Sequence, residues 1–181
     1  MLAIYPEHQE AVYREQVQLL GDNPNVAPTW EQISKMNYLD RVLKEVMRLN
    51  PTPGVLRVLS EDLDLGDYKL PKGCTLYLLV YSLHRDPDFW SHPNEFYPDH
   101  FLPEESSSRP KSAYIPFLQG LRSCPGKLYG VITMKILIST AIRMFRFETD
   151  MKFEQIKYKY SFLIEMVEGY HVRISRRKIA N

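Results

Sequence analysis

The sequence predicts a mainly helical domain with small β-sheets, an α+β fold. Two segments in the first 50 positions combine helix-start signals with helical spacing of apolar residues. Short β-prone runs bounded by glycine and proline follow them, and a long apolar segment lies near the carboxyl end. With 181 residues, 44% of them hydrophobic, the chain is long enough for one core. We therefore expect a single domain over residues 1–181.

The first helix is expected to begin at Pro6 and to end near Leu20, because acidic residues occupy its first turn and Gly21 follows. After a loop over residues 21–29, a second helix is predicted over residues 37–49. Its apolar positions share one helical face: Leu39, Val42, Leu43 and Val46.

The middle of the chain predicts a small sheet followed by an irregular segment. Pro51 and Pro53 stop the second helix. Short strands are then expected at three places, residues 55–59, 62–65 and 75–80. From residue 84 to 116, recurring prolines predict a long loop, and loops of that length are usually functional.

The most apolar segment, residues 128–145, is long enough to span a bilayer. Lys135 lies in its middle and Arg143 near its end, which favours a long buried helix of a globular domain instead. Residues 155–166 and 171–175 are then predicted to pair as a β-hairpin. The amino-terminal residues carry no signal-peptide pattern, so we expect no anchor in this sequence.

Charge and histidine spacing argue against two function classes. The net charge is +1, and the basic run over residues 173–178 lacks an aromatic platform or binding motif, so no nucleic-acid partner is expected. His84, His92 and His100 recur every eight residues, which leaves a metal site as a competing hypothesis. It carries little weight, because neither helix nor strand periodicity brings every eighth residue together.

The most informative segment is FLQGLRSCPG, residues 117–126. Its cysteine lies just ahead of the apolar helix, where unpaired N–H groups and the helix dipole favour a thiolate. Pro125 suits the first helical position, and Gly120 and Gly126 permit positive φ and leave room for a flat ligand beside the sulfur. A lone cysteine in such a place is more often a buried structural residue, as Cys74 is expected to be.

The pattern F-x-x-G-x-R-x-C-x-G resembles the haem-binding loop of the cytochrome P450 monooxygenases, and all its fixed positions are filled. They are Phe117, Gly120, Arg122, Cys124 and Gly126. The resemblance implies that Cys124 is the axial thiolate ligand of a haem iron and that Arg122 faces a haem propionate. Five matched positions outweigh the alternative of a structural cysteine.

Arg57, in the strand after the proline stop, resembles the strand arginine that meets a haem propionate in this family. With Arg122 it would form a two-point clamp on the propionate carboxylates. Alternation along a strand leaves a solvent-facing Arg57 equally open.

Glu45 and Arg48 are three residues apart on the second helix, so they can pair. Taken alone, they would form an ordinary exposed ion pair. The pair resembles the E-x-x-R motif of the family's K helix, which forms a buried network with a later arginine. Here His100, within FYPDHF, occupies that arginine position. An imidazole can still donate to Glu45, but it lacks the rigid five-donor fork of a guanidinium.

The resemblance covers nearly all 181 residues but only the C-terminal part of a much longer family chain, so it implies a single partial domain. The distal helix that activates oxygen, the membrane anchor and most substrate contacts would lie upstream, and no catalytic residue is assigned here. The implied fold is helices, a short sheet, a proline-rich meander, the cysteine loop, a long buried helix and a β-hairpin. Apolar residues 53–56 and 161–164 are the substrate contacts that the resemblance leaves in this chain.

The resemblance implies a haem-thiolate monooxygenase fragment, most like the microsomal family-four branch of insects. A complete chain would hydroxylate a lipophilic substrate, fatty-acid-like or xenobiotic, using O₂ and NADPH at the cytoplasmic face of the endoplasmic reticulum membrane. Its electron donors would be NADPH-cytochrome P450 reductase and, as a second candidate, cytochrome b5. Basic residues beside the loop are candidate docking sites: Arg109, Lys111 and Lys127. The alternative is a truncated, non-catalytic chain that binds haem poorly.

Overall fold

The computed structural model describes residues 1–21, 23–160 and 164–177, and its fold is the predicted α+β type. Its helices are Pro6–Leu20 (α1), Trp30–Ser34 (α2), Asn37–Leu49 (α3), Val80–Leu83 (α4), Pro103–Ser108 (α5) and Lys127–Met144 (α6). Single turns of 3-10 helix lie at Pro98–Phe101, Lys111–Ala113, Gly120–Arg122 and Phe153–Gln155. The bounds of α1 and α3 agree with the prediction.

The strands of the described chain form four antiparallel pairs. Val55–Val58 (β1) pairs with Thr75–Leu78 (β4), and Leu63–Asp64 (β2) pairs with Lys69–Leu70 (β3). Phe145–Glu148 (β5) pairs with Arg173–Arg176 (β8), and Tyr158–Tyr160 (β6) pairs with Ile164–Met166 (β7). Each sheet is therefore a two-stranded ribbon, and none forms a layer of its own.

The C-terminal hairpin forms between other strands than those predicted. β6 pairs with β7, whereas β8 pairs with β5, the strand that follows α6 directly. The alternating sequence Phe145-Arg146-Phe147-Glu148 places the two phenylalanines on the less exposed side. The prediction included Phe145 in the apolar helix, so this period-two pattern was missed.

The helix α2 was also missed, although its start signal is present in the sequence. Thr29 Oγ1 accepts a hydrogen bond from the Gln32 amide at 3.3 Å, and Gln32 Oε1 accepts one from the Thr29 amide at 2.9 Å. This reciprocal pair is a capping box, which satisfies two backbone donors at a helix start.

The hydrophobic core lies where α1, α3 and α6 meet. Its buried side chains are Val12, Leu20, Ile33, Met36, Leu39, Val42, Leu43, Leu49, Phe96 and Ile142. α3 contributes more of them than any other element, because its apolar residues recur at three- and four-residue spacing. Each such burial favours folding by about 1.5–3 kcal/mol. This core fixes α3, whose other buried residues form the site described below.

The long helix α6 is present, but its first turn is exposed and its buried residues all lie from Lys135 onward. Leu128, Tyr129 and Leu137 are exposed, whereas Lys135 and Arg143 are among its buried residues. The expectation of a helix buried along its whole length is thus corrected for the described chain. None of the helices in the described ranges has the length and apolarity that a bilayer-spanning segment needs.

The two buried charges of α6 each have partners on another part of the chain. Lys135 Nζ lies 2.7 Å from Asp40 on α3. Arg143 donates to the backbone oxygens of Asn23 and Val26 at 2.8 and 2.9 Å. The charged residues thus join α6 to α3 and to the loop after α1.

We expect Gly54→Ala to destabilise the chain by about 1–3 kcal/mol, the usual cost of overpacking. A Cβ at Gly54 would lie 2.6 Å from the Leu78 backbone oxygen and 2.7 Å from Tyr77 ring atoms, so β1 and β4 would have to separate. Urea unfolding measures the change. Gly130→Ala in α6, where nothing lies within 4 Å, is the control and should stabilise by about 0.5–1 kcal/mol. A Gly54→Ala midpoint equal to or above that of the unchanged chain would refute the clash.

Candidate functional site

A fully buried ion pair lies on the side of α3 that faces the proline-rich segment. Arg48 Nη2 lies 2.7 Å from Glu45 Oε1, and Arg48 Nε lies 2.8 Å from Oε2, so the pair is bidentate. Neither side chain has exposed surface. His100 Nδ1 lies 3.2 and 3.3 Å from the same carboxylate oxygens. The structure therefore brings Glu45, Arg48 and His100 into one cluster, and the pair is not the ordinary exposed one.

The remaining hydrogen bonds of this cluster go to the backbone of the proline-rich segment. Arg48 donates at 2.7–2.8 Å to three carbonyl oxygens, those of His84, Pro93 and Glu95. Glu45 Oε1 accepts a hydrogen bond from the Tyr97 amide at 2.8 Å. Buried backbone groups need partners, and in the described chain these three carbonyl oxygens accept no hydrogen bond from another backbone amide. The pair thus supplies them and folds the segment around α3.

Neighbouring groups keep the Glu45 carboxylate negatively charged. Burial alone would raise the pKa of this carboxyl, but hydrogen bonds from Arg48 and His100 outweigh burial and hold the pKa below its ordinary value. Glu45 is consequently ionised at neutral pH. Breaking the pair at neutral pH would leave a buried charge without a partner.

His100 receives a hydrogen bond on its other nitrogen, which assigns its tautomer. The His92 amide donates to His100 Nε2 at 3.3 Å, so Nδ1 carries the proton that faces Glu45. The centroids of the His92 and His100 rings lie 6.2 Å apart, although the sequence spacing of eight residues did not predict that they would meet. No three potential ligands among His, Cys, Asp and Glu come together in the described ranges.

Arg109 belongs to this cluster, which corrects its assignment as a docking cation. Its guanidinium lies 3.8 Å from the centre of the Trp90 ring, and Nη2 donates to the His100 carbonyl at 3.0 Å. Trp90 is buried and meets His100 edge-on at 5.3 Å. A second guanidinium therefore lies next to the position where the family pattern has arginine. Its stacking on an aromatic face was not visible in the sequence.

The cysteine loop is closed by its own backbone. The Cys124 amide donates to the Phe117 carbonyl at 2.8 Å, and the Ser123 amide donates to the Gly120 carbonyl at 3.1 Å. Cys124 is exposed, directly ahead of α6. A Cβ at Gly126 would touch only the Cys124 sulfur, at 3.8 Å. The sulfur is thus held in a fixed place with open space beside it.

Two backbone details differ from the prediction, and a third was not predicted. Pro125 lies in a turn rather than at the first helical position, because Gly126 is the residue that precedes α6. Gly120 has a φ of +77°, as expected, but Gly126 has a φ of −82° and does not need the freedom of glycine. Leu118, with a φ of +60°, is the one non-glycine residue of positive φ among those described. Such backbone strain costs about 1–3 kcal/mol and clusters at functional sites.

The two implied propionate partners line the same open cleft. Arg57 and Arg122 share it with Leu56 and Val58, and its volume is about 590 Å³. Arg57 lies on the less exposed side of β1, while Leu56 and Val58 are on the exposed side. Two cations beside exposed apolar side chains suit a flat, mostly apolar ligand with two carboxylates. Together with the open sulfur, this donor set fits a haem.

An apolar cavity of about 420 Å³ lies at the end of α3 and shares no lining residue with the charged cleft. Val46, Pro51, Thr52 and Met166 are among the residues that line it. Pro51 and Thr52 directly precede the implied substrate contact at residues 53–56. Residues 161–163 of the other implied contact lie outside the described residues.

Removing one partner of the buried pair should be costly. We expect Arg48→Leu to lower the free energy of unfolding by about 3–5 kcal/mol, because Glu45 would stay buried without a counter-charge. Urea unfolding at pH 7 measures the change. Arg173→Leu is the control, since its pair with Asp150 is exposed and should contribute little. If both variants unfold at the same urea concentration, the network does not organise the fold.

Comparison with known proteins agrees with the resemblance of the cysteine loop. The family model described as Cytochrome P450 matches residues 1–171. Cytochrome P450 4g15 of Drosophila melanogaster is 36% identical over 180 residues, which are 98% of this chain and 31% of the relative. Cytochrome P450 4c21 of Blattella germanica is 36% identical over 177 residues, 97% of this chain and 35% of the relative.

A mammalian relative shows the same extent of similarity. Cytochrome P450 4V2 of Mus musculus is 35% identical over 178 residues, 98% of this chain and 34% of the relative. The chain thus spans about a third of the length of the curated relatives it matches. These relatives are family-four members, as the sequence predicted. By a family match over nearly its whole length, the chain belongs to the cytochrome P450 family.

Proposed function

We propose that residues 1–181 form the haem-binding portion of a haem-thiolate monooxygenase, with Cys124 as the axial ligand of the iron. The observation that carries this proposal is the exposed cysteine in a loop that its own backbone closes ahead of α6. A thiolate-ligated haem supplies oxygen activation, because the thiolate favours cleavage of the O–O bond. The residues of this chain hold and orient that group.

The loop performs two tasks in this proposal. The Phe117 carbonyl fixes the Cys124 amide, which limits the directions that the sulfur can take. The start of α6 presents unpaired N–H groups and the positive end of the helix dipole, which stabilise a thiolate. Gly126 leaves the space beside the sulfur free of a side chain, since a Cβ there would lie 3.8 Å from Cys124 Sγ. A flat macrocycle can then approach the loop closely.

Arg57 and Arg122 bind the two propionates. Their common cleft supports this role over the alternative of a solvent-facing strand arginine. A guanidinium pairs well with a carboxylate because its donors match the two oxygens. The exposed Leu56 and Val58 would lose contact with water beneath the ring.

In this proposal, residues 1–181 are one portion of a longer protein. It takes electrons that originate from NADPH, through a reductase, with cytochrome b5 as a second candidate donor, at the endoplasmic reticulum membrane. Lys111 and Lys127, which are exposed beside the loop, are the remaining candidate docking cations. The apolar cavity at the end of α3 supports a lipophilic substrate, fatty-acid-like or xenobiotic.

Haem titration with Cys124→Ser tests the axial ligand. The reduced, carbon monoxide-bound complex of the unchanged chain should show the red-shifted Soret band of thiolate ligation, and Cys124→Ser should lose it. Cys74→Ser is the matched control, because Cys74 is the other of the two cysteines in the chain and lies outside the cysteine loop, directly before β4. It should keep the band. No haem uptake by the unchanged chain would favour the alternative of a haem-deficient chain.

The propionate clamp predicts a charge-specific loss of affinity. Arg57→Met and Arg122→Met should each weaken haem binding by roughly tenfold or more, since a hydrogen bond to a charged group contributes about 1.5–3 kcal/mol. Titration with the dimethyl ester of the porphyrin is the control, because it lacks the carboxylates. The variants should bind the ester as the unchanged chain does. If the variants lost as much affinity for the ester as for haem, the effect would be due to altered packing and not to the carboxylates.

A further inference from the structure

His84 lies beside the Glu45–Arg48 pair but is not one of its members. Its side chain has no exposed surface, and its ring stacks on the Tyr114 ring at a centroid distance of 5.2 Å. Its backbone oxygen accepts a hydrogen bond from Arg48 at 2.8 Å. The ring is therefore fixed between α3 and the segment that leads to the cysteine loop.

One ring nitrogen of His84 has a specific partner. Nε2 lies 2.9 Å from the Ile115 amide, which can only donate, so Nε2 carries no proton and the ring is neutral. Nδ1 then carries the proton, and it is buried without a hydrogen-bond partner among the described residues. A second proton would break the bond to Ile115 and place a charge in a buried position.

The charged groups beside His84 are the guanidinium groups of Arg48 on α3 and of Arg85 next in sequence, and both oppose such a charge. The Tyr114 phenol ring stacks on the imidazole. The backbone groups of Arg48 and Met47 favour the charge, but burial and the two cations outweigh them. Burial lowers the pKa of His84 from 6.5 to about 4, and the two positive charges act in the same direction. The ring is thus neutral across the physiological range.

Ile115 connects His84 to the cysteine through the backbone. The Ile115 carbonyl accepts a hydrogen bond from the amide of Leu118 at 3.0 Å, and Leu118 is the residue of positive φ. The Phe117 carbonyl, between them in sequence, accepts the bond from the Cys124 amide at 2.8 Å. A short series of hydrogen bonds therefore runs from a buried imidazole to the residue that carries the exposed sulfur.

We propose that His84 is a positioning residue for Cys124. Its neutral imidazole fixes the Ile115 amide and so holds residues 115–124 in the closed conformation, and protonation of the ring releases them. The role of Cys124 as iron ligand rests on the proposed function, whereas the fixing of the loop does not. No other element supplies the Ile115 amide with a hydrogen bond in the described chain.

Amide hydrogen exchange of the ¹⁵N-labelled chain without haem tests this role. Protection of the Ile115 and Cys124 amides, corrected for intrinsic exchange, should be constant above pH 6.5. Below it, protection should fall by up to about tenfold per pH unit, because an opened ring takes up a proton that the closed ring refuses. The loss should continue toward pH 4, where the closed ring itself is protonated. Protection of both amides that stays constant from pH 7 to 5 would overturn the proposal.

Two variants separate positioning from simple packing. His84→Gln offers an acceptor oxygen but cannot take up a proton, so its Ile115 and Cys124 protection should not change between pH 7 and 5. His84→Phe keeps an aromatic ring but no acceptor, so protection of both amides should fall at least tenfold at pH 7.

Each variant tests one step of the proposed link between His84 and Cys124. A His84→Gln chain with the same pH slope as the unchanged chain would assign the proton to another group. A His84→Phe chain that keeps its Cys124 protection would show that the effect ends at Ile115. If His84→Phe does not fold, the comparison with His84→Gln decides alone. Because haem is absent from these measurements, a failure of haem binding leaves their outcome untouched.

Discussion

The buried Glu45–Arg48 pair is the interaction on which the site depends. It projects from α3, a helix fixed by the core, into a segment with little regular structure. A buried ion pair is weak evidence for stability, because desolvation offsets much of the attraction. The pair instead determines the conformation of the segment. Backbone carbonyl groups bind to the Arg48 guanidinium and a backbone amide binds to the Glu45 carboxylate, in a region where no helix or sheet pairs these groups. The irregular segment thereby reaches the cysteine loop in a defined conformation.

The site combines rigid and irregular parts in a definite order. α3 supplies the anchor, β1 supplies Arg57, and α6 supplies the helix end ahead of which Cys124 lies. The irregular segment contributes no catalytic group in the proposal, but it packs on α3 and leads to the cysteine loop. Arg109, stacked on Trp90, adds a second positive charge on the side of His100. The position where the family pattern has arginine thus lies near two guanidinium groups, that of Arg48 on α3 and that of Arg109 nine residues further along the same segment.

The predictable features are those that local chemistry determines. Pro6 and Gly21 delimit α1, and the prolines that follow α3 end that helix. The bounds of both helices could therefore be predicted from residues within or next to each helix. The position of Cys124 ahead of α6 followed in the same way. The pairing of β5 with β8, the stacking of Arg109 and the bond from Ile115 to His84 join residues far apart in sequence. No local periodicity encodes such contacts. The positive φ of Leu118 was equally hidden, because leucine rarely adopts it.

The two tryptophans make this arrangement optically accessible. Trp30 is 65% exposed at the start of α2, whereas Trp90 is 1% exposed and lies against Arg48 and Arg109. A water-soluble quencher therefore reaches the fluorescence of Trp30 and leaves that of Trp90. Emission from the shielded indole then reports on the charged cluster alone. Tryptophan fluorescence can accordingly distinguish loosening of the cluster from fraying of the amino-terminal helices, without an added label.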